Sequence, residues 1–85
     1  MVAPSPLDRI RARPRTFGEA RLTLLRERRV SLAVIARALG VDISSVSRVN
    51  QGTRRSRAIE REIARQLGLS VAQAFPEWQD TLAPR

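Results

Sequence analysis

The chain has 85 residues, which is enough for one small domain and too few for two. It lacks cysteine and histidine, which excludes disulfide bonds, Cys- or His-based metal sites and nucleophiles activated by histidine. Its longest apolar run, residues 32–36, is far shorter than a membrane span, and residues 1–10 have no signal-peptide core. We therefore expect a cytoplasmic protein that is not an enzyme, with no catalytic residue, cofactor or metal site.

The positive charge is concentrated in the first two thirds of the chain. Sixteen arginines and eight acidic residues give a net charge of +8. Residues 1–57 carry thirteen arginines against four acidic residues, whereas residues 58–85 carry three against four. A GC-rich genome would explain why every basic residue is arginine, but it would not explain this asymmetry. The pattern predicts a polyanionic partner, and nucleic acid is the commonest one.

Residues 1–15 form a segment rich in proline and arginine, which we predict to be a flexible basic arm. Its three prolines oppose a regular helix. The arm either follows the DNA backbone or a minor groove, or it is a solvated tail. Its candidate DNA-binding residues are Arg9, Arg11, Arg13 and Arg15.

Capping residues and glycines divide residues 16–78 into five predicted helices. A Ser, Thr or Asp precedes each helix, where its side-chain oxygen can accept a first-turn amide. Glycines follow the second, third and fourth helices, where a left-handed residue commonly ends a helix. The predicted helices are 17–28, 32–39, 42–51, 57–67 and 71–75, opened by Thr16, Ser31, Asp42, Ser56 and Ser70. The expected fold is an all-α, compact five-helix bundle, with residues 79–85 as a frayed tail.

The second and third predicted helices match a helix-turn-helix unit. Such a unit needs a small residue where the helices touch and a glycine four positions later, and Ala36 and Gly40 meet both demands. Apolar residues must also fill the interface from both helices, and the candidates are Ile35, Leu39, Val41, Val46 and Val49. We predict that the domain binds DNA through this unit. The alternative is an ordinary helical hairpin in a structural bundle.

The third predicted helix is the expected recognition helix, which enters the major groove. Its exposed side chains include three short hydroxyls, Ser44, Ser45 and Ser47, which can contact bases or phosphates at close approach. Arg48 suits bidentate recognition of guanine or, equally, a phosphate contact. Ile43 either touches a thymine methyl group or belongs to the core. Asn50 is expected on the exposed face as well.

Phosphate contacts are expected on both sides of the recognition helix. Ser31 and the first amides of the second helix can hold a phosphate through the helix dipole. The basic loop after the third helix supplies further cations, and for each the alternative is solvated surface. The predicted phosphate-binding residues are Ser31, Arg37, Ser45, Arg54, Arg55 and Arg57. On the fourth helix we expect two surface ion pairs, Arg57–Glu60 and Glu62–Arg65.

The stretches RLTLLRERRVSLAVIARALGVDISSVSRV and RSRAIEREIARQLGLSVAQAFPEWQ resemble the Ner family of small regulators from Mu-like transposable phages and their bacterial relatives. The likeness includes the basic end of the first helix, the hydroxyl-rich third helix, the Ile-x-x-x-Ile-Ala-x-x-Leu-Gly fourth helix and the terminal FPEW segment. More broadly, the chain is similar to the lambda repressor and Cro class. The resemblance implies a five-helix fold and operator binding that represses promoters. It places the base contacts on Ile43, Ser44, Ser47 and Arg48.

The favoured hypothesis is a repressor that blocks polymerase by occupying a promoter, without a small-molecule effector. A homodimer would match a two-fold operator, through the arm or through Phe75 and Trp78. Trp78 can equally serve as a lid on the core. The alternatives are a protein-binding helical module, such as an antitoxin or phage adaptor, and an architectural protein that binds DNA without reading its sequence.

Overall fold

A computed structural model describes residues 16–78, and every regular element in that range is helical. Helix α1 spans Phe17–Glu27, α2 Leu32–Leu39, α3 Ile43–Gln51, α4 Arg57–Leu67 and α5 Val71–Ala74, and a 3₁₀ turn covers Pro76–Trp78. The all-α, five-helix prediction is confirmed. Helices α1 and α5 each end one residue earlier than predicted, and α3 begins one residue later. The predicted arm, with Arg9, Arg11, Arg13 and Arg15, and the predicted tail lie outside the described residues.

Four of the five predicted helix caps are present. The Thr16 hydroxyl accepts a hydrogen bond from the Glu19 amide at 3.1 Å, while the Thr16 amide donates to the Glu19 carboxylate at 3.2 Å. The hydroxyls of Ser31, Ser56 and Ser70 likewise accept amides in the first turns of α2, α4 and α5.

The side-chain cap that was predicted for helix α3 is absent. Asp42 occupies the position before α3, but its carboxylate accepts no backbone amide of that helix. It accepts the Ser44 hydroxyl instead, at 2.6 Å. Helix α3 therefore begins without the side-chain cap that commonly contributes about 1 kcal/mol.

The core lies where α1, α2, α3, α4 and the C-terminal segment converge. Its fully buried aliphatic side chains include Leu25, Ile35, Val46, Val49 and Ile63. Phe75 is 1 % exposed, and Trp78 is half-buried against the same core. Phe75 is therefore not available as a dimerisation surface, and the placement of Trp78 matches the alternative that it covers the core.

Helices α1 and α3 pass each other at backbone contact through Gly18. A methyl group built on Gly18 would lie 2.8 Å from the Asn50 carbonyl oxygen, closer than real carbon–oxygen contacts allow. The Asn50 side-chain amide donates to the Gly18 carbonyl at 3.1 Å, which closes the same junction. A side chain at residue 18 would thus push α3 away from α1.

One of the two ion pairs predicted on α4 is present. The Arg65 guanidinium and the Glu62 carboxylate are 2.6 Å apart, and this contact lowers the pKa of Glu62. The predicted Arg57–Glu60 pair is wrong. Glu60 is 3 % exposed, and its carboxylate accepts Arg55 and the Ser56 amide, each at 3.0 Å, because it faces the loop before α4.

No helix within residues 16–78 combines the length and the apolar character needed to cross a membrane.

Candidate nucleic-acid interface

Helices α2 and α3 form the predicted helix-turn-helix unit. Ala36 is 5 % exposed at the contact between them, and Ile35, Val46 and Val49 are fully buried beside it. Gly40 adopts a left-handed conformation with φ +67°, which lets the Val41 amide reach back to the Ala36 carbonyl at 3.0 Å. That hydrogen bond closes the turn between α2 and α3.

Val41 was predicted to fill the interface of this unit, and this prediction is wrong. Its side chain is 40 % exposed, because the turn that follows Gly40 directs residue 41 outward. The packing between α2 and α3 therefore rests on the side chains inside the two helices.

The outer side of α3 presents three of the four predicted base-reading residues to solvent. Ile43 is 49 % exposed, which decides between its two predicted locations in favour of the surface. Ser44 and Arg48 are also exposed, and within residues 16–78 the Arg48 guanidinium has no hydrogen-bond or ion-pair partner. Ser47 is half-buried, and its hydroxyl accepts from the Gln51 amide group at 3.3 Å.

Two of the predicted phosphate-binding residues contact each other. The Arg54 guanidinium donates to the Ser45 hydroxyl at 3.1 Å, which joins the loop after α3 to the side of that helix. Arg57 lies exposed at the start of α4, and Arg37 and Ser31 are exposed on α2 and at its N-terminus. The structure thus places basic or hydroxyl side chains at the ends of both helices that neighbour α3.

Arg55 differs from the other loop arginines because its charge is already compensated. Its guanidinium donates to Glu60 at 3.0 Å and stacks 4.3 Å from the centroid of the Trp78 ring. Its side chain remains 43 % exposed. A phosphate contact by Arg55 stays a prediction, and it would have to coexist with these two contacts.

Most arginines in the described part of the chain lack an acidic partner. Arg21, Arg55 and Arg65 are the members of its three ion pairs. The arginines of residues 16–78 outside these pairs are Arg26, Arg28, Arg29, Arg37, Arg48, Arg54, Arg57 and Arg61. They give the described part of the chain an excess of positive charge that no ion pair compensates.

A buried polar network that was not predicted from the sequence fixes the C-terminal end of α3. Arg21 is 0 % exposed, and each of its five N–H groups has an acceptor. Nε and Nη2 donate to the side chain and the backbone carbonyl of Asn50, the first at 3.0 Å. Nη1 donates to the Ala74 carbonyl at 2.8 Å.

The remaining two N–H groups of Arg21 donate to the carboxylate of Glu77. Nη1 and Nη2 donate to the two oxygens of Glu77 at 2.9 and 2.6 Å. The guanidinium also lies 4.0 Å from the centroid of the Phe75 ring. One side chain therefore joins α1, α3 and the segment that follows α5.

The prediction that Asn50 lies on the exposed face of α3 is wrong. Asn50 is 1 % exposed and faces α1. The signal was present in the spacing, because Asn50 follows Val46 by four residues and Val49 by one, on the buried stripe of the helix. Arg21 likewise lies four residues after Phe17 and four before Leu25, on the buried stripe of α1.

Comparison with known proteins agrees with this geometry. The family model described as winged helix-turn-helix DNA-binding matches residues 19–80, which include the whole α2–α3 unit. No curated protein and no solved structure matches the chain. Residues 16–78 contain no β-strand, so the DNA-binding unit in that range is helical throughout. The match spans well over half of the sequence, and the chain belongs to the winged helix-turn-helix DNA-binding family.

Proposed function

We propose that the protein is a transcriptional regulator that recognises a specific sequence in double-stranded DNA and represses a promoter by occupying it. Helix α3 enters the major groove, and Ile43, Ser44, Ser47 and Arg48 contact the bases. The family membership supports DNA binding, and the repressor role and the base contacts are proposed from the resemblance of the sequence to the Ner family. A homodimer on a two-fold operator is part of the same proposal.

The observation that carries the proposal is the division of α3 into two sides. Val46, Val49 and Asn50 are buried and hold the helix in place. Arg48 lies on the other side without an internal partner, and Ile43, the first residue of the helix, is 49 % exposed. An unpaired arginine and an exposed apolar group on one short helix suit guanine edges and thymine methyl groups.

Exposed basic and hydroxyl side chains before and after α3 in the chain support a duplex as the partner. Arg37 lies on α2 and Ser31 caps it, while Arg54 lies in the loop after α3 and Arg57 begins α4. A helix lying in the major groove has a phosphate backbone on either side. We propose that these residues, with Ser45 and Arg55, contact the two backbones.

Fluorescence anisotropy with the DNA upstream of the protein's own gene tests the proposal, with a scrambled duplex of equal composition as control. We expect tighter binding to the native duplex, and we expect this preference to persist when the salt concentration is raised. Equal, salt-sensitive binding to both duplexes would favour an architectural protein. No binding to either would favour the protein-binding module.

Replacing Arg48 with alanine is expected to weaken binding to the preferred duplex by about 1–3 kcal/mol and to change binding to the scrambled duplex little. The reason is that a bidentate contact to guanine contributes only where the guanine is present. The same anisotropy titrations measure both affinities.

Arg54→Ala is the matched control for Arg48→Ala, since it removes the same charge from the loop instead of the recognition helix. We expect it to weaken binding to both duplexes alike and to lower the salt slope by about 1. If Arg48→Ala also affects both duplexes equally, Arg48 binds phosphate and does not read sequence.

A further inference from the structure

We propose that Glu77, which lies outside the helix-turn-helix unit, is a positioning residue for DNA recognition. Its carboxylate holds Arg21, and Arg21 in turn fixes the C-terminal end of α3. We name residues Ala74–Trp78 the C-terminal clasp. The effect on DNA affinity rests on the proposed function, whereas the contacts that support the inference lie within the protein.

Helix α3 is held more firmly at its end than at its start. Its first turn has no side-chain cap, since the Asp42 carboxylate is bound to the Ser44 hydroxyl. Serine and valine, which make up much of α3, are mediocre helix formers. At the other end, Arg21 binds both the side chain and the backbone carbonyl of Asn50. The position of the preceding turn, with Ser47 and Arg48, therefore depends on the Arg21–Asn50 contact.

Glu77 completes that contact by neutralising a buried cation. Arg21 is fully buried, and Glu77 is the acidic residue within 4 Å of it. Both carboxylate oxygens are used, which fixes the plane of the guanidinium as well as its charge. The same carboxylate lies beside Gly52, the residue that ends α3.

The clasp also reaches the basic loop after α3. The Trp78 ring lies under the Arg55 guanidinium, and Arg55 is bound to Glu60 of α4. The clasp thus acts on residues on both sides of Gly52, on Asn50 through Arg21 and on Arg55 through the Trp78 ring. Bidentate base contacts tolerate little displacement, whereas phosphate contacts made by long, exposed arginines tolerate more.

The test compares Glu77→Gln with Glu62→Gln in the full chain. Both variants remove one negative charge, but Glu62 pairs with Arg65 on α4, away from α3. Anisotropy with the native and scrambled duplexes gives the ratio of the two affinities at a temperature where circular dichroism shows both variants folded. For Glu77→Gln we expect this ratio to fall about tenfold, the scale of one lost base contact, with unchanged affinity for scrambled DNA. For Glu62→Gln we expect the wild-type ratio.

Hydrogen exchange provides a readout that does not involve DNA. Glu77→Gln is expected to accelerate amide exchange in α3 more than in α2, whereas Glu62→Gln should leave both helices unchanged. If Glu77→Gln does not fold, Glu77→Asp replaces it, because it keeps the charge while retracting the carboxylate by one methylene. An intermediate affinity ratio and exchange rate are then expected.

A wild-type affinity ratio together with wild-type exchange in the folded Glu77 variant would overturn the inference. A wild-type protein that does not distinguish the two duplexes would instead overturn the proposed sequence-specific function. In that case the α3 exchange rates still decide whether Glu77 positions the helix, so the two failures are distinguishable.

Discussion

Replacing Arg21 with leucine is expected to lower the free energy of unfolding by about 3–5 kcal/mol, a large share of the total for a domain of this size. Leucine fills part of the space but supplies none of the five N–H groups. It would leave the Glu77 carboxylate, the Asn50 side chain and the Ala74 carbonyl without their donor. Buried polar groups that lose their partners cost far more than exposed ones.

Urea denaturation followed by circular dichroism measures this loss, with Arg65→Leu as the control. The Arg65–Glu62 and Arg21–Glu77 pairs have the same closest distance of 2.6 Å, but the side chain of Arg65 is 69 % exposed and that of Arg21 is buried. We expect the control to unfold at the wild-type urea concentration, since exposed ion pairs contribute little. Equal losses in the two variants would show that burial is not the source of the effect.

Gly18→Val is expected to destabilise the protein by about 3 kcal/mol, the upper end of the range for overpacking. Valine is a better helix former than glycine, so helix propensity alone would predict a gain. The opposing effect is steric, because a Cβ at residue 18 meets the Asn50 carbonyl at 2.8 Å and the Gln51 Cα at 3.3 Å. Both atoms belong to the backbone of α3 and cannot move without displacing that helix.

Gly40→Ala is the control variant, because it replaces a glycine where the added Cβ causes no clash. A Cβ at residue 40 meets no atom within 4 Å, but φ is +67° there. The expected cost is about 1 kcal/mol, from the left-handed backbone alone. Urea denaturation of both variants gives the comparison. A Gly18→Val variant as stable as Gly40→Ala would mean that α3 can move away from α1 at little cost.

The fold could be predicted from the sequence because the signals that start and end its helices are local. The Thr16–Glu19 capping box, the Ser31 cap and the glycine at residue 40 each act within a few residues of their own position. Such signals depend on backbone geometry that is the same in every helix. The α2–α3 unit could be placed for the same reason, since its apolar spacing is a property of two adjacent helices.

The polar contacts between distant segments could not be predicted in the same way. Arg21 and Glu77 are 56 positions apart, and nothing near either residue identifies the other. Arg21, Asn50 and Glu60 all occupy positions on the buried stripes of their helices, but polar residues are usually exposed. The residue type therefore predicted an exposed position for Asn50 and Glu60 although the spacing was that of a buried stripe, and identifying the partners of all three required the tertiary structure.

The separation of the two sides of α3 has a consequence for how such a protein can diverge. The side chains of Ile43 and Arg48 share no hydrogen bond with the network around Asn50, so they can be replaced without breaking the contacts that hold α3 in place. If the proposed function holds, we expect substitutions at these two exposed positions to change the preferred operator without compensating changes in the core. Duplicated copies of this gene can therefore acquire new binding sites while Arg21, Asn50 and Glu77 remain constant.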